Sequence, residues 1–391
     1  MLPRQYIEER GGKAAILDYV RDKTDLPIPK YEVIGFEDAP SKIARVFSDI
    51  QAPHAFGNPK PIIVRSSSPY EYGDFEGVFE SVPGIRTWTG LLSAIEQIKA
   101  SAQSDLAHRY ARQKGIEIGE KICIILQQQS DSRYCGAMMR HPNNPSLIFI
   151  DYFESGYDWW QQLKQGGVWD DKKNEVVKGH FNLERANIEE LIRAYKKIES
   201  LSDIADGCSL FVEFGLNPLF IYQVRPFMEF KTTNFEVPKF PRERLEFAIV
   251  ADCVFGLTPP EGIEVPIVSH NSRVSSGFSY RGLSQKERES TQQNLSSADS
   301  KAHKPYCLVV PYSREQENWD LYVPRMNALI AGDSSHFLTH GMIRLLKKAE
   351  VSLLCDRNLS QSFLSMSGLE EKTVQIISNG REGVALLRCN L

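Results

Sequence analysis

The chain has 391 residues, 42% hydrophobic and 25% charged, with 46 Lys and Arg against 50 Asp and Glu. That length supports two or three domains with cores of their own, and the 20 Phe and 15 Tyr exclude wholesale disorder. A formal net charge of −4 supplies no basic excess for a general nucleic-acid or anionic-membrane surface. No apolar run nears the ~18 residues of a membrane span, and the start, MLPRQYIEERGGK, lacks the apolar core of a signal peptide. The seven cysteines are scattered and show no C-x-x-C spacing. The expectation is a cytoplasmic protein with reduced thiols, no structural zinc, and neither nucleic acid nor membrane as a partner.

In chain order, AAILDYV (14–20) reads as a first helix, and LPIPKYEVIG (26–35) leads into a strand. IIVRSSS (62–68) reads as a short buried strand entering a polar, glycine-bearing loop from 69 to 84. Apolar residues at 92, 95, 98, 102, 106 and 110 have helical spacing, so 91–113 is expected as one helix stopped by Gly115. Three strands follow, KICIILQ (121–127), YCGAMM (134–139) and SLIFID (146–151). A second helix is expected from Asn187, with Asn187 as cap and Glu190 three residues on, burying Ile188, Leu191, Ile192, Tyr195 and Ile198. CSLFVEF (208–214) and LFIYQV (219–224) flank Leu216-Asn217-Pro218 as a hairpin. EFAIVADCVFG (246–256) reads as an apolar helix, and 284–303, rich in Ser and Gln, as an exposed excursion. Beyond 307, CLVVPY, NALIAG, VSLLCD, TVQIIS and GVALL are strand-like, around one helix at 336–350.

Alternate side chains of a strand share a face. A turn centred on Pro218 therefore sets Glu213 opposite Gln223, with Arg225 on the same face. A carboxylate, an amide oxygen and a guanidinium grouped in this way suit Mg²⁺ bridging two phosphates, with the arginine gripping the terminal one. The same three residues also suit an ordinary surface ion pair.

VRSSSPYEYGDFEGVFESV (64–82) resembles the phosphate-covering segment of phosphoenolpyruvate synthase and pyruvate phosphate dikinase. That family also opens on G-G-K-x-x-x-L and a P-x-P stretch, here GGKAAIL (11–17) and LPIP (26–29). It closes the domain with an acidic strand, a hairpin and L-Q-x-R-P, here FVEF and YQVRPF. The resemblance implies an α/β (α+β) chain with an ATP-grasp-like nucleotide domain over 1–230. By position it implies Lys13 and Arg65 on the nucleotide phosphates, Glu213 and Gln223 on Mg²⁺, Arg225 on the transferring phosphates, and Gln127 in the adenine pocket. Where the family has D-x-E in the hairpin strand, this chain has Phe211 in place of the Asp.

ALIAGDSSHFLTHGMI (328–343), after CLVVPYSREQENWDLYVPRM, resembles the family's swivelling β/β/α phosphohistidine domain, with NGREGVALL (379–387) as its last turn and strand. The resemblance implies a connector at 231–305, a phosphohistidine domain at 306–391, and His340, after Thr339, as the phosphoryl acceptor. A helix N-terminus there would favour the anionic adduct. Ser335 and His336 replace the family's paired glycines and Gly341 an alanine. His340 can also be read as an ordinary surface histidine, or with His336 as a metal pair. Trp159 and Trp160 could stack on a ligand or serve packing.

The barrel that binds phosphoenolpyruvate or pyruvate in the family, about 250 residues long, has no counterpart in this sequence. The expected function is an ATP- and Mg²⁺-dependent phosphotransferase of dikinase type. It would pass the β-phosphoryl through His340 to a small-molecule acceptor, or to a partner subunit carrying the acceptor site, with release of AMP. The alternatives are a non-catalytic nucleotide-binding subunit of a split dikinase and a plain ADP-forming kinase.

Overall fold

The computed structural model describes residues 2–51, 59–72, 77–116, 122–155, 165–229, 231, 235–238, 245–251, 253–269, short pieces at 293–300, 305–310, 322–332, 340–355, 362, 372–379 and 381–388. It is a mixed α/β chain with several sheets, and it divides into two compact units. The first comprises Met1–Met139, Tyr152–Gly156 and Phe181–Phe227; the second comprises Arg140–Asp151, Tyr157–His180 and Met228–Leu391.

The described helices are α1 (Arg4–Arg10), α2 (Gly12–Lys23), α3 (Pro40–Gln51), α4 (Trp88–Ala102), α5 (Asp105–Lys114), α6 (Arg185–Glu199), α7 (Ser202–Ala205) and α8 (His340–Lys348). The strands up to residue 229 are β1 (Tyr31–Gly35), β2 (Ile62–Ser67), β3 (Ser81–Ile85), β4 (Cys123–Gln128), β5 (Tyr134–Arg140), β6 (Leu147–Glu154), β7 (Gln165–Asp170), β8 (Glu175–His180), β9 (Cys208–Leu216) and β10 (Phe220–Glu229).

In the first unit an antiparallel sheet runs in the order β1-β4-β2-β3. Its two faces follow the period of two. Ile34, Ile62, Val64, Ile124 and Leu126 pack against α3 and α4, burying Val46, Ile50, Leu91 and Ile98. The opposite face sets Tyr31 and Ile125 against Ala14 and Leu17 of α2. Arg65 pairs with Ile125 and Ile63 with Gln127, so Arg65 and Gln127 stand on the α2 face.

Asp18 ties α1, α2 and β1 together. It is 2% exposed and accepts hydrogen bonds from Tyr6 Oη at 2.9 Å, Arg10 Nε at 2.9 Å, Arg21 Nη2 at 2.8 Å and Tyr31 Oη at 2.7 Å. Burial pushes its carboxyl up, but hydrogen bonds from Arg10 and Tyr31 outweigh that and hold it below the usual carboxylate range. Asp18→Ala should lower the unfolding free energy by about 3–5 kcal/mol, because two arginines and two phenols lose a common acceptor. A shift in urea midpoint checks this. A depressed folded pKa makes the contribution fully present above ~4, and it is lost as pH falls through the folded value. The mutant should therefore lose less stability than wild type on acidification.

Three sequence expectations are corrected. The stretch 91–113 is two helices, since Ser104 caps α5 by accepting from the Ala107 amide at 3.2 Å; Gly115 closes α5 in the left-handed conformation as expected. Asn187 does not cap α6, which starts at Arg185 behind Glu184; its amide instead donates to Asn217 Oδ1 at 3.3 Å. The five apolar residues expected on that helix are buried. Residues 246–256 form strands, not a helix: β11 (Leu245–Val250) and β12 (Cys253–Gly256). Short apolar runs rich in Ile, Val and Phe fit a buried strand as well as a helix, and cross-strand partners decide between them.

In the second unit, β13 (Ile263–Ser269), β14 (Tyr306–Val310), β15 (Met326–Gly332), β16 (Val351–Cys355), β17 (Thr373–Ser378) and β18 (Gly383–Arg388) join β11 and β12. The eight-stranded order is β11-β18-β17-β13-β14-β15-β16-β12. Strands β13 to β16 are mutually parallel, and α8 makes the crossover from β15 to β16. Ile267, Val309, Ile330, Leu353, Ile376 and Ala385 form its core. Most of 284–303 lies outside the described residues, but Asp299 is buried, not exposed: it accepts from Tyr306 Oη at 3.0 Å and from the Arg325 amide at 2.9 Å. His141 has a structural role. It is buried against Phe149 and stacked on Phe255 at 4.7 Å, and burial pushes its imidazole down to about 3.

Candidate functional site

The candidate site lies within the first unit and is organised by Arg65. Its guanidinium, 9% exposed, donates from Nη1 to Gln127 Oε1 at 3.3 Å and to the Tyr222 carbonyl at 3.2 Å. From Nη2 it donates to Glu213 Oε2 at 3.1 Å and to Gln223 Oε1 at 2.5 Å. Strand β2 contributes Arg65, β4 contributes Gln127, and the β9–β10 hairpin contributes the others. Convergence of Glu213 and Gln223 on one nitrogen is the face-sharing that a turn centred on Pro218 requires. That turn contains a cis Asn217-Pro218 bond.

Two positions further from the turn, Arg225 lies over the Phe211 ring, its Cζ 4.5 Å from the ring centroid. Arg225 is 4% exposed, yet its Nε and Nη2 have no hydrogen-bond partner among the described residues. A buried guanidinium on an aromatic face keeps its charge and leaves its donors unspent. Unsatisfied buried donors are costly unless a ligand supplies acceptors. Phe211, the departure in the D-x-E strand, thus serves as a platform for the arginine.

Lys13 enters from the first turn of α2. Its Nζ donates to Ser66 Oγ at 3.2 Å and to Glu71 Oε1 at 2.5 Å. Burial pushes its ammonium below the ordinary lysine value; Glu71 opposes that shift, Arg65 adds to it and Glu213 opposes it weakly. The approach depends on the two glycines before Lys13. A Cβ on Gly11, at φ 75°, would meet the Ser67 carbonyl at 1.8 Å, and one on Gly12 would meet the Tyr72 amide nitrogen at 2.5 Å. Only glycine lets α2 start this close to the end of β2.

Glu71 was not singled out from the sequence. It sits in a single 3-10 turn, Pro69–Tyr72, and its Oε2 accepts from the Ser68 amide at 2.8 Å while Ser68 Oγ accepts from the Tyr70 amide at 3.3 Å. Ser68-Pro69-Tyr70-Glu71 is a capping box with proline in first position, a signal present in the sequence.

Lys13 and Arg65 are thus set against two carboxylates, Glu71 and Glu213, while Arg225 follows Gln223 by two residues on the hairpin strand. As a test for Mg²⁺, two oxygens from neighbouring strands already converge on a cation, the Arg65 nitrogen. The third hairpin position is Phe211, and no group of three or more His, Cys, Asp or Glu forms a metal site among the described residues. The donor set fits a Mg²⁺ held by Glu213 and Gln223 and completed by phosphate oxygens, since Mg²⁺ commonly uses few protein ligands. It does not fit an ion caged by protein alone.

His340 is the first described residue of α8, and its side chain lies outside the described residues, as do His336, Trp159 and Trp160. Among the described residues, Cys123, Cys135, Cys208, Cys307 and Cys355 are free thiols, and no helix is long and apolar enough to cross a membrane.

No family model matches the chain, and no curated protein sequence matches it. Solved structures do. D-alanine–D-alanine ligase from Helicobacter pylori is 12% identical with a TM-score of 0.31, over 56% of this chain and 51% of that one. An L-amino acid ligase from Bacillus licheniformis is 14% identical with a TM-score of 0.32, over 58% and 45%. Carboxyaminoimidazole ribonucleotide synthase from Aspergillus clavatus, complexed with ATP, is 12% identical with a TM-score of 0.34, over 56% and 45%. The matched part spans about half the length of each of these proteins.

Proposed function

We propose that the chain is an ATP- and Mg²⁺-dependent phosphotransferase of dikinase type, with an ATP-grasp-like first part and a phosphohistidine carrier in the second. The observation that carries the reading is Arg225, a buried guanidinium with two nitrogens unpartnered among the described residues, on the same hairpin whose Glu213 and Gln223 engage Arg65. Permanently charged donors in a site shielded from water are what a polyphosphate needs as charge builds on its oxygens.

In this reading Arg225 Nε and Nη2 and the remaining ammonium hydrogen of Lys13 donate to phosphate oxygens. Arg65 holds Glu213, Gln223 and Gln127 in register, and Gln127 stands towards the adenine. A bound Mg²⁺, held by Glu213 and Gln223, would neutralise phosphate charge. His340 attacks the β-phosphorus, the bond from that phosphorus to the oxygen of the α-phosphate breaks, and AMP departs. The terminal phosphate then passes to water or inorganic phosphate, and the phosphoryl left on His340 goes to the acceptor. That acceptor is a small molecule, or sits on a partner subunit. Splitting the transfer through a covalent carrier separates two incompatible steps.

Phe211, in place of a second hairpin carboxylate, favours one rival, a nucleotide-binding subunit without turnover. Chromatography of nucleotides after incubation with Mg-ATP separates the readings. AMP is expected with an equal amount of phosphate where water takes the terminal group, or of pyrophosphate where inorganic phosphate takes it; ADP alone points to a plain kinase, and unchanged ATP that nevertheless binds points to the rival.

A further inference from the structure

We infer that Glu71 is a positioning residue for Lys13: its carboxylate fixes the lysine ammonium, with one donor left over, at the place where a nucleotide phosphate binds. The inference rests on the nucleotide reading above and adds a residue to it.

Both oxygens of Glu71 are engaged, each on a different side. Oε2 is locked by the Ser68 amide at 2.8 Å, within the capping box that builds the 3-10 turn. Oε1 faces the site, taking Lys13 Nζ at 2.5 Å and the Ser66 hydroxyl at 3.1 Å. The side chain is 4% exposed, so neither contact is shared with bulk water. Gly11 and Gly12 bring the start of α2 against Ser67 and Tyr72, the backbone flanking this carboxylate.

An ammonium has three hydrogens. Ser66 Oγ and Glu71 Oε1 take two, and among the described residues no protein acceptor takes the third. Lysine is otherwise a flexible point charge, so two fixed acceptors convert it into a directed donor. The charged groups around it are Glu71 on the 3-10 turn, Arg65 on β2 and Glu213 on β9. Of these, Glu71 alone both touches Lys13 and compensates its charge. A carboxylate whose only task is the turn would not need its charge, because an amide oxygen can accept from the Ser68 amide equally well.

That difference sets the test, a double-mutant cycle on the full chain with Mg-ATP affinity read by isothermal titration calorimetry. Glu71→Gln keeps size and the acceptor for Ser68 but loses the charge, and should weaken ATP binding about tenfold with little change in melting temperature. Lys13→Met should weaken it by at least as much. In the Lys13→Met background, Glu71→Gln should restore affinity, because the carboxylate there is an unpaired negative charge facing phosphate. Should Glu71→Gln not fold, Glu71→Asp replaces it; its charge sits one methylene further back and should cost several-fold in affinity.

ATP binding that depends on Lys13 and is unchanged or tightened by Glu71→Gln overturns this inference and leaves the nucleotide reading standing. Equal losses from Glu71→Gln in both backgrounds overturn it too, by making the role structural. Wild-type protein that does not bind ATP overturns both.

Discussion

Arg65→Ala is expected to be the most damaging substitution in the first unit, for ligand binding and for stability together. One guanidinium serves Gln127, Glu213, Gln223 and the Tyr222 carbonyl. Truncation leaves these acceptors facing one another in a buried space, with Glu213 losing the guanidinium at 3.1 Å. Breaking a buried pair in this way costs about 3–5 kcal/mol, and the 23% exposure of Glu213 places the loss toward the lower end. Arg65 holds Glu213, Gln223 and Gln127, the groups assigned to Mg²⁺ and adenine, so its loss costs ATP the equivalent of one charge-assisted contact, about 1.5–3 kcal/mol or about 10- to 100-fold in affinity. Arg65→Lys should recover little of it, since a single ammonium cannot span acceptors on β4, β9 and β10 at once. Calorimetric titration and a thermal melt on both variants check the two halves. Wild-type ATP affinity in Arg65→Ala would remove the hub from the account.

The second large effect concerns His340. If this residue carries the phosphoryl group, His340→Asn should abolish both the acid-labile adduct and AMP formation, because asparagine retains size and hydrogen bonding but has no nucleophilic ring nitrogen. ATP binding should survive, since Lys13, Arg65 and Arg225 belong to the first unit and are untouched. His336→Asn should leave the adduct in place. An adduct lost in His336→Asn and kept in His340→Asn would move the acceptor four residues back, to His336. Intact-mass spectrometry after incubation with Mg-ATP reads the wild type and both variants.

The hairpin cluster was legible in the sequence because two periodic facts fix it. Strand parity sets Phe211, Glu213, Gln223 and Arg225 on one face, and the Pro218 turn sets which residues meet. The strand IIVRSSS likewise gave away Arg65, whose neighbour Val64 points to the other face. What the sequence did not disclose was the partner that makes Phe211 useful. An aromatic in a carboxylate position reads as a loss until Arg225 is seen resting on it. Glu71 was obscured because it stands in a loop whose acidic residues look alike in one dimension. Its simultaneous contacts with Ser68 and Lys13 single it out in the structure. The helix break at Ser104 and the strands at 246–256 were misread for a shared reason. Apolar spacing reports neither a cap within a helical pattern nor cross-strand partners, and the outcome is set by the Ser104 cap in one case and by neighbouring strands in the other.

The central claim is that the β-phosphoryl of ATP comes to rest on this chain. The most direct measurement incubates the wild-type protein with Mg-ATP labelled in the β-phosphate and, separately, in the γ-phosphate, and follows protein-bound label after the nucleotide is removed. Retention of β-label without lasting γ-label is predicted, because the terminal phosphate leaves before the stable adduct remains. Retention of γ-label with release of ADP would contradict the account.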